Sequence, residues 1–361
     1  MASPADAPVP GIFLLQYPLK FCAIVTGLTW ILSVATGNVS QVDRLWTFLP
    51  TLYTAYFALL PLWPRREAGW LWWGPTLHPA AQGPTVDEFS SRALLMLSLT
   101  VLWMLRLSYN TWRRGLFNLH DEDYRWAVLR KKVHWVVFQL INLTFIAGIQ
   151  NVLLLLIALP TLRAVRLGPT PLHTSDYALA VTALALLAWE FTADNQQFAF
   201  HAWKAGTYAP QEHWPGARLA WTETDRRRGF ITRGLWAWSR HPNFFAEQSF
   251  WVRLFPMANS RIAADPDLHQ CVLTLMPSAQ TFARLLPAVS LCLLFAASTR
   301  FTESISASKY PEAYKAYQRR VSKFVPWLTP VWGAWLRLRG REERERVETL
   351  VWGQEVRAKV E

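Results

Sequence analysis

Long apolar runs dominate this 361-residue chain. An α-helix needs about 20 mostly apolar residues to cross the hydrocarbon core of a bilayer. The runs that approach or exceed this length are 12–36, 45–63, 93–109, 136–160, 177–203, 235–258 and 272–298. Backbone polar groups find no water inside lipid, so only helices and closed barrels span it. The runs therefore predict an all-α fold, a polytopic membrane helix bundle of about seven transmembrane helices.

The formal net charge of +12 lies mainly in three loops, 111–134, 204–233 and 300–333. With seven spans, all three loops fall on one side of the membrane, and basic loops mark the cytosolic side. No nucleic-acid motif accompanies them, so we expect no nucleic-acid partner. The predicted organisation is an N-terminal segment with the first span (1–40), a membrane domain (41–333) and a charged tail (334–361).

The cysteines and histidines give no sign of a metal site. Cys22, Cys271 and Cys292 lie in apolar runs, without a partner at metal-ligand spacing. They are expected to be buried as small hydrophobic residues. No dinucleotide-binding GxGxxG segment, phosphate-binding loop or nucleophile elbow occurs either. We therefore expect no metal.

A polar stripe runs along the otherwise apolar fifth span. Glu190, Asp194, Gln197 and His201 follow the i, i+4, i+7, i+11 spacing of one helical face. A carboxylate inside a span costs roughly 2.5–3.5 kcal/mol on insertion scales, so it is expected to face a cavity or a partner. The stripe indicates either a binding site or ion pairs with arginines of a neighbouring helix.

A second polar group begins the sixth apolar run. Proline favours the first turn of a helix, so Pro242 is expected to start one, with Ser239 or His241 near the cap. Backbone N–H groups at that start, together with Arg240, would form an anion site. Asn243 and Glu247 share a face four residues apart. The alternative is a kinked helix in which Arg240 and Glu247 form an ordinary ion pair.

A third group follows the seventh span. Tyr314 and Tyr317 lie on one face of a segment that also carries Lys and Arg. These side chains could close over a bound phosphate or ring. Taken alone, the segment is more typical of an amphipathic helix at the membrane surface.

Segment 234–247, with its Arg-His-Pro-Asn sequence, resembles the C-terminal signature of the steroid 5-alpha-reductase family. It is most similar to a branch of polytopic membrane proteins with a steroid 5-alpha-reductase-like C-terminal domain. Segments 42–46, 102–107 with 122–130, 189–197 and 314–326 resemble that branch in the same order. Phe244 stands where the pattern usually has Tyr, and Ala246 where it usually has Gly.

The resemblance implies an NADPH-dependent oxidoreductase that reduces a carbon–carbon double bond conjugated to a carbonyl, in a lipophilic, steroid- or isoprenoid-like small molecule. It implies a multi-pass protein of lipid metabolism, by analogy in the endoplasmic reticulum. The candidate catalytic residues are Asp43, Glu122 and Tyr124. The candidate NADPH-binding residues are Glu190, Asp194, Gln197, Arg240, His241, Asn243, Glu247, Tyr314, Tyr317, Arg125 and Arg130, the last two from their charge alone.

Two other functions stay open. The isoprenylcysteine carboxyl methyltransferases resemble the same C-terminal half, with a Glu near position 303, and use S-adenosylmethionine. A non-catalytic membrane protein that retains the fold is the other possibility, because fold alone does not imply activity.

Overall fold

The computed structural model of the chain describes residues 11–63, 86, 88–258 and 279–353. Every regular element within these residues is helical, and none is a strand, so the predicted all-α class is confirmed. Cys271 and the first part of the run 272–298 lie outside the described residues. The chain divides into two compact units, Met1–Ala183 with Trp251–Leu291 and Leu184–Phe250 with Cys292–Glu361. The predicted domain limits at 40 and 333 stay predictions.

The described residues form α-helices of very different lengths. In chain order they are α1 (Gly11–Thr36), α2 (Gln41–Leu45), α3 (Leu49–Ala58), α4 (Ser91–Arg113), α5 (Tyr124–Lys132), α6 (Trp135–Ile141), α7 (Gln150–Leu156), α8 (Leu159–Arg166), α9 (Thr174–Ala205), α10 (Glu223–Arg228), α11 (Pro242–Met257), α12 (Ala279–Lys309), α13 (Pro311–Arg320), α14 (Thr329–Arg339) and α15 (Arg341–Trp352). A π-helical segment, Asn142–Ile149, joins α6 to α7.

Five helical segments among the described residues are long and apolar enough to cross a membrane. They are Leu14–Thr36, Ser91–Arg113, Trp135–Arg166, Thr174–Ala205 and Leu285–Lys309. The first four coincide closely with predicted runs, whereas Leu285–Lys309 overlaps the run 272–298 only in its first half; together they indicate an integral membrane protein. Long helices form here because leucine and alanine favour helix and few glycines interrupt it.

The predicted count of about seven spans is not confirmed. In the run 45–63, α3 holds only 10 residues, and a short 3₁₀ turn that contains Pro61 follows it. In the run 235–258, residues 234–237 form a 3₁₀ turn, and α11 starts only at Pro242 and holds 16 residues. Proline lacks the N–H that a helix interior needs, so it sets these limits.

Buried polar contacts join the helices of the first unit. The Asn142 amide donates to the hydroxyl of Ser33 at 2.8 Å, and the Asn151 amide donates to that of Thr29 at 3.2 Å. These contacts link α1 to the helix that includes the π-helical segment. Cys22 is buried in α1 as a free thiol, as expected.

The second unit has its own apolar core around α13, α14 and α15. Tyr314 and Tyr317 of α13 pack with Leu336 of α14 and with Val347 and Val351 of α15. Because α13 and α14 are joined by only a short connection, residues 321–323 are held close to this core. That connection is where the candidate site begins.

Candidate functional site

The polar stripe of α9 is buried at its centre. Glu190 and Asp194 are only 3% and 4% exposed, Gln197 is half-buried, and His201 is exposed. The four side chains therefore share a face, as predicted, but only the two carboxylates lie deep in the protein. Burial of a carboxylate is costly unless hydrogen bonds or charges compensate it.

Asp194 contacts the start of α11. The Asn243 amide nitrogen donates to the Asp194 carboxylate at 3.1 Å, and the Asn243 oxygen accepts from the backbone N–H of Phe244 at 3.0 Å. The Trp189 indole also donates to the Pro242 carbonyl at 3.2 Å. Two sequence motifs that are far apart in the chain thus meet within the second unit. Glu247, one turn along α11, is buried as well.

Gln196 was not among the predicted site residues, and it fixes the backbone beside the site. Its oxygen accepts from the N–H of Leu235 at 2.9 Å, and its nitrogen donates to the Gly216 carbonyl at 2.9 Å. A Cβ on Gly234, whose φ is +64°, would lie 2.6 Å from the Gln196 amide. The sequence marks Gln196 only as an amide in an apolar helix, and Gln197 fits the spacing of the polar stripe better.

Each of the three guanidinium nitrogens of Arg240 donates a hydrogen bond to an acceptor of the protein. Its Nε and Nη2 donate to the two oxygens of Glu303 at 2.7 and 3.2 Å. Its Nη1 donates to the carbonyls of Gln318, at 3.2 Å, and Val321. Arg240 therefore pairs with Glu303 of α12, and its geometry is that of a residue that positions the start of α11.

Glu303 is the hub of this cluster and a residue that the reductase interpretation missed. Besides Arg240, its carboxylate lies 3.1 Å from His241 Nε2 and accepts from the Gln318 amide at 3.0 Å. Burial lowers the pKa of His241, although Glu303 opposes the change, so the imidazole is held neutral. The sequence signal was an acid near the end of an apolar helix, and it entered only the methyltransferase alternative.

The backbone N–H groups just before α11 also donate hydrogen bonds within the protein. The N–H of Arg240 donates to the Ser322 carbonyl at 2.9 Å, and that of His241 to the Lys323 carbonyl at 3.1 Å. Pro242 has no N–H to donate. The N–H groups just before the predicted anion site therefore bond to the protein itself, and within the first turn of α11 the N–H of Phe244 bonds to the Asn243 side chain.

Tyr314 and Tyr317 face the protein interior. Both are buried, and the Tyr317 hydroxyl donates to the Trp236 carbonyl at 2.5 Å. Burial raises the pKa of Tyr317 well above its ordinary value, so this hydroxyl keeps its proton. Phe230 packs against both rings. This inward orientation differs from the surface helix that the segment indicates on its own.

Arg228 adds a buried cation that the sequence did not single out. One guanidinium nitrogen, Nη2, pairs with Asp225, which also accepts from Arg233 at 2.7 Å. In the described part of the chain, Nε and Nη1 of Arg228 are buried and have no hydrogen-bond acceptor. Arg228 and Arg240 both oppose the rise in the pKa of Tyr317, which places them near that hydroxyl.

The remaining predicted residues lie in the first unit, and Asp43 stands out among them. The Trp126 indole donates to its carboxylate at 3.0 Å. Burial raises the pKa of Asp43, against the opposing effect of Arg125. This carboxyl therefore holds its proton to a higher pH than an exposed aspartate does.

Ion pairs engage most of the other first-unit candidates. Glu122 accepts two hydrogen bonds from Arg130, at 2.8 and 2.9 Å. Arg125 forms the same bidentate contact with Asp123 at 2.8 and 2.9 Å. Tyr124 is 51% exposed. Among the residues that the structure describes, no group of three His, Cys, Asp or Glu side chains could hold a metal ion.

Comparison with known proteins gives a family without an assigned activity. A family model described as "Protein of unknown function (DUF1295)" matches residues 29–321. An uncharacterized protein of Schizosaccharomyces pombe is 32% identical over 306 residues, which cover 84% of this chain and 77% of the yeast protein. No solved structure matches the chain. Since the family match includes most of the chain, and residues of both units, the protein belongs to the DUF1295 family.

Proposed function

We propose that this protein is a membrane-embedded reductase that uses NADPH to reduce a carbon–carbon double bond conjugated to a carbonyl in a lipophilic substrate. The resemblance of its motifs to the steroid 5-alpha-reductase family motivates the proposal. The observation that carries it is the contact between Asn243 and Asp194, because it joins two of those motifs at one buried polar cluster.

The donors and acceptors of the second unit suit a dinucleotide. The buried carboxylates of Glu190, Asp194 and Glu247 can accept from ribose hydroxyls, and the Asn243 amide can both donate and accept. Two buried guanidinium nitrogens of Arg228, Nε and Nη1, have no acceptor in the described residues, and guanidinium groups match phosphate oxygens well. These residues would hold the cofactor, while Arg240, His241 and Glu303 position the start of α11.

NADPH supplies the hydride that reduces the double bond. The part left to the chain is to stabilise the negative charge that develops on the carbonyl oxygen, and a preorganised hydrogen-bond donor does this well. Asp43 is a candidate for this role by the reductase resemblance, and burial raises its pKa above the ordinary aspartate value. Glu122 is less suited, because both of its carboxyl oxygens already accept hydrogen bonds from Arg130.

The substrate and its location follow from the same proposal. Five apolar helices place the protein in a bilayer, where steroid- or isoprenoid-like molecules are dissolved. Such a substrate can reach the site laterally, without passing through water. We place the reaction in the endoplasmic reticulum membrane by analogy with the reductase family.

An S-adenosylmethionine-dependent methyltransferase is the second candidate. The observation in its favour is that Glu303, the acid named in that resemblance, contacts Arg240 and His241 of the Arg-His-Pro element. A retained fold without activity is the third.

Ligand-dependent stabilisation separates the three candidates. The purified full-length protein is unfolded thermally with NADPH or with S-adenosylmethionine. A ligand at 100 times its dissociation constant stabilises the folded state by about 2.7 kcal/mol, which a melting curve resolves. We expect NADPH to raise the melting temperature and S-adenosylmethionine to leave it unchanged.

Asn243→Ala is the critical variant, and Gln248→Ala is its control. Gln248 is an amide on the same helix whose nitrogen donates to the Phe244 carbonyl at 2.8 Å, one turn back on its own helix. We expect Asn243→Ala to abolish the NADPH response and Gln248→Ala to keep it. An unchanged NADPH affinity in a folded Asn243→Ala protein would contradict the proposed site, and stabilisation by neither ligand would favour the non-catalytic alternative.

A further inference from the structure

The outer surface of α14 and of the turn before it is apolar and exposed. Its large exposed side chains are Trp327, Leu328, Val331, Trp332, Trp335 and Leu338. Leu338 is 87% exposed and Trp327 is 66% exposed. Monomeric soluble proteins rarely leave so many large apolar side chains together at the surface, and such patches mark interaction sites.

The opposite side of α14 already has its partners. Thr329, Gly333 and Leu336 are buried at i, i+4, i+7 spacing, and Leu336 belongs to the core with α13 and α15. The Arg320 guanidinium lies 3.1 Å from where a Cβ on Gly333 would be. The inner face therefore accounts for the folding of α14, whereas the outer apolar face does not contribute to this core.

Arginines border the outer face, and α14 contains no acid. Arg337 and Arg339 occupy its last turn, and the Arg339 guanidinium lies 4.0 Å from the centre of the Trp335 ring. The neighbouring α15 is different, because acids and bases alternate on it and form pairs such as Arg341–Glu345 at 3.1 Å. Tryptophans bordered by arginines are typical of helices that lie at the lipid headgroups.

We propose that α14 lies in the headgroup region of the membrane, with its outer apolar face in the lipid and its arginines on anionic headgroups. Three observations favour lipid as the partner. The chain has membrane-spanning helices, one of which ends at Lys309 and is separated from α14 only by α13 and a short connection. The face carries several tryptophans. The charged side chains of α14 itself are Arg337 and Arg339, which complement anionic lipid, although Arg339 also lies 3.9 Å from Glu343 of α15. This inference does not depend on the proposed reductase activity.

Site-specific quenching tests the position of this face. The full-length protein, with Cys22, Cys271 and Cys292 changed to Ala, receives one cysteine by Leu338→Cys, or by Arg346→Cys on exposed α15 as the control. Each variant carries a bimane label in a nanodisc of phosphatidylcholine mixed with a smaller amount of phosphatidylglycerol. Quenchers are a headgroup nitroxide lipid and aqueous iodide. A melting curve near that of the unlabelled protein shows that each variant is folded.

We expect the nitroxide lipid to quench the label at 338 several-fold more than the label at 346, and iodide to do the reverse. Equal quenching by iodide at both positions would overturn the proposal. Protection from iodide without nitroxide quenching would overturn it too, and would show that protein covers the face. If that protection requires two copies per nanodisc, the face is an interface between copies.

Charge reversal tests the preference for anionic lipid. With Leu338→Cys as the reporter, nitroxide quenching is compared in pure phosphatidylcholine and in the mixture with phosphatidylglycerol. We expect anionic lipid to increase quenching, and the pair Arg337→Glu with Arg339→Glu to abolish that increase. Arg346→Glu should keep it. An undiminished increase in the charge-reversed pair would refute the role of these arginines.

Discussion

At the scale of single residues, the same type of side chain has opposite properties in different surroundings. Asp43 and Asp123 are close in space within the first unit, since Arg125 affects the pKa of both. Burial raises the pKa of Asp43. Burial also acts to raise the pKa of Asp123, but the bidentate hydrogen bonds and the charge of Arg125 outweigh it, so that pKa is lowered. The first aspartate is a candidate proton donor, and the second is a structural anion.

The pair predicts opposite pH dependences of stability. The raised pKa of Asp43 stabilises the fold below the ordinary aspartate pKa of about 3.9, and this stabilisation is lost as pH rises through the folded-state value. We therefore expect Asp43→Asn to gain stability relative to the wild type as pH rises from 4 to 7. Thermal unfolding of the detergent-solubilised protein across that range measures the difference.

Asp123→Asn is the matched control with the opposite sign. Because the pKa of Asp123 is lowered, its carboxylate stabilises the fold above the ordinary pKa, and that effect disappears as pH falls through the folded-state value. Asp123→Asn should therefore lose stability relative to the wild type at pH 7, and the loss should shrink towards pH 3. The two hypotheses fail if both variants show the same slope.

Sequence patterns identified the site residues unevenly. Asp194, Asn243 and Glu247 could be predicted because polar groups in apolar helices are costly and therefore conspicuous. The neighbours that hold Arg240 could not be assigned in the same way, since Glu303 and the Val321 carbonyl lie far away in the chain. Arg228 was one of several similar arginines in a basic loop, and only its burial distinguishes it.

At the scale of helices and turns, length could be predicted better than orientation. Apolar runs predicted the five long helices, because a helix that crosses lipid must be both apolar and long enough to span the hydrocarbon core. The orientation of α13 could not be predicted, because Tyr314 and Tyr317 turn inward only through partners in α14 and α15. The start of α11 was predicted correctly at Pro242 because a local property of proline sets it.

Gly234 and Gly206 predict a difference between two turns. Both have positive φ, +64° and +81°, a conformation that costs other residues roughly 1–2 kcal/mol. A Cβ at 206 would meet nothing within 4 Å, whereas one at 234 would meet the Gln196 amide. Gly234→Ala should therefore lower the free energy of unfolding more than Gly206→Ala, as urea or thermal unfolding can measure. Equal losses would show that Gln196 moves aside freely.

At the scale of the whole molecule, the path of the chain through the membrane depends on α11. Contacts between Arg240 and Glu303 place the start of α11 beside the last part of α12. If α12 crosses the bilayer, its first residues lie on the opposite side of the membrane from this contact. The chain must then cross once between the start of α11 and the start of α12, and α11 is the helix that leads away from the contact. The loop 204–233 and the part of the loop 300–333 that follows α12 then lie on one side, as the charge distribution predicts.

Cysteine accessibility tests that path. Arg227→Cys and Arg346→Cys, in the background without other cysteines, are both at exposed positions of the second unit. We expect a membrane-impermeant maleimide to label both from the same side of sealed vesicles, and neither from the other side. Labelling from opposite sides would contradict this path, because the start of α11 and the end of α12, which the contact between Arg240 and Glu303 joins, would then lie on different sides of the membrane.

The shortness of α11 has a consequence for the depth of the site. Its 16 residues rise only about 24 Å, whereas the hydrocarbon core is about 30 Å thick. A helix that crosses with this length requires either local thinning of the bilayer or an entry point sunk below the lipid headgroups. In both cases the charged groups at its start lie nearer to the midplane than the ends of the longer helices do. A water-soluble ligand bound there would therefore lie at the membrane depth at which a lipophilic molecule is dissolved.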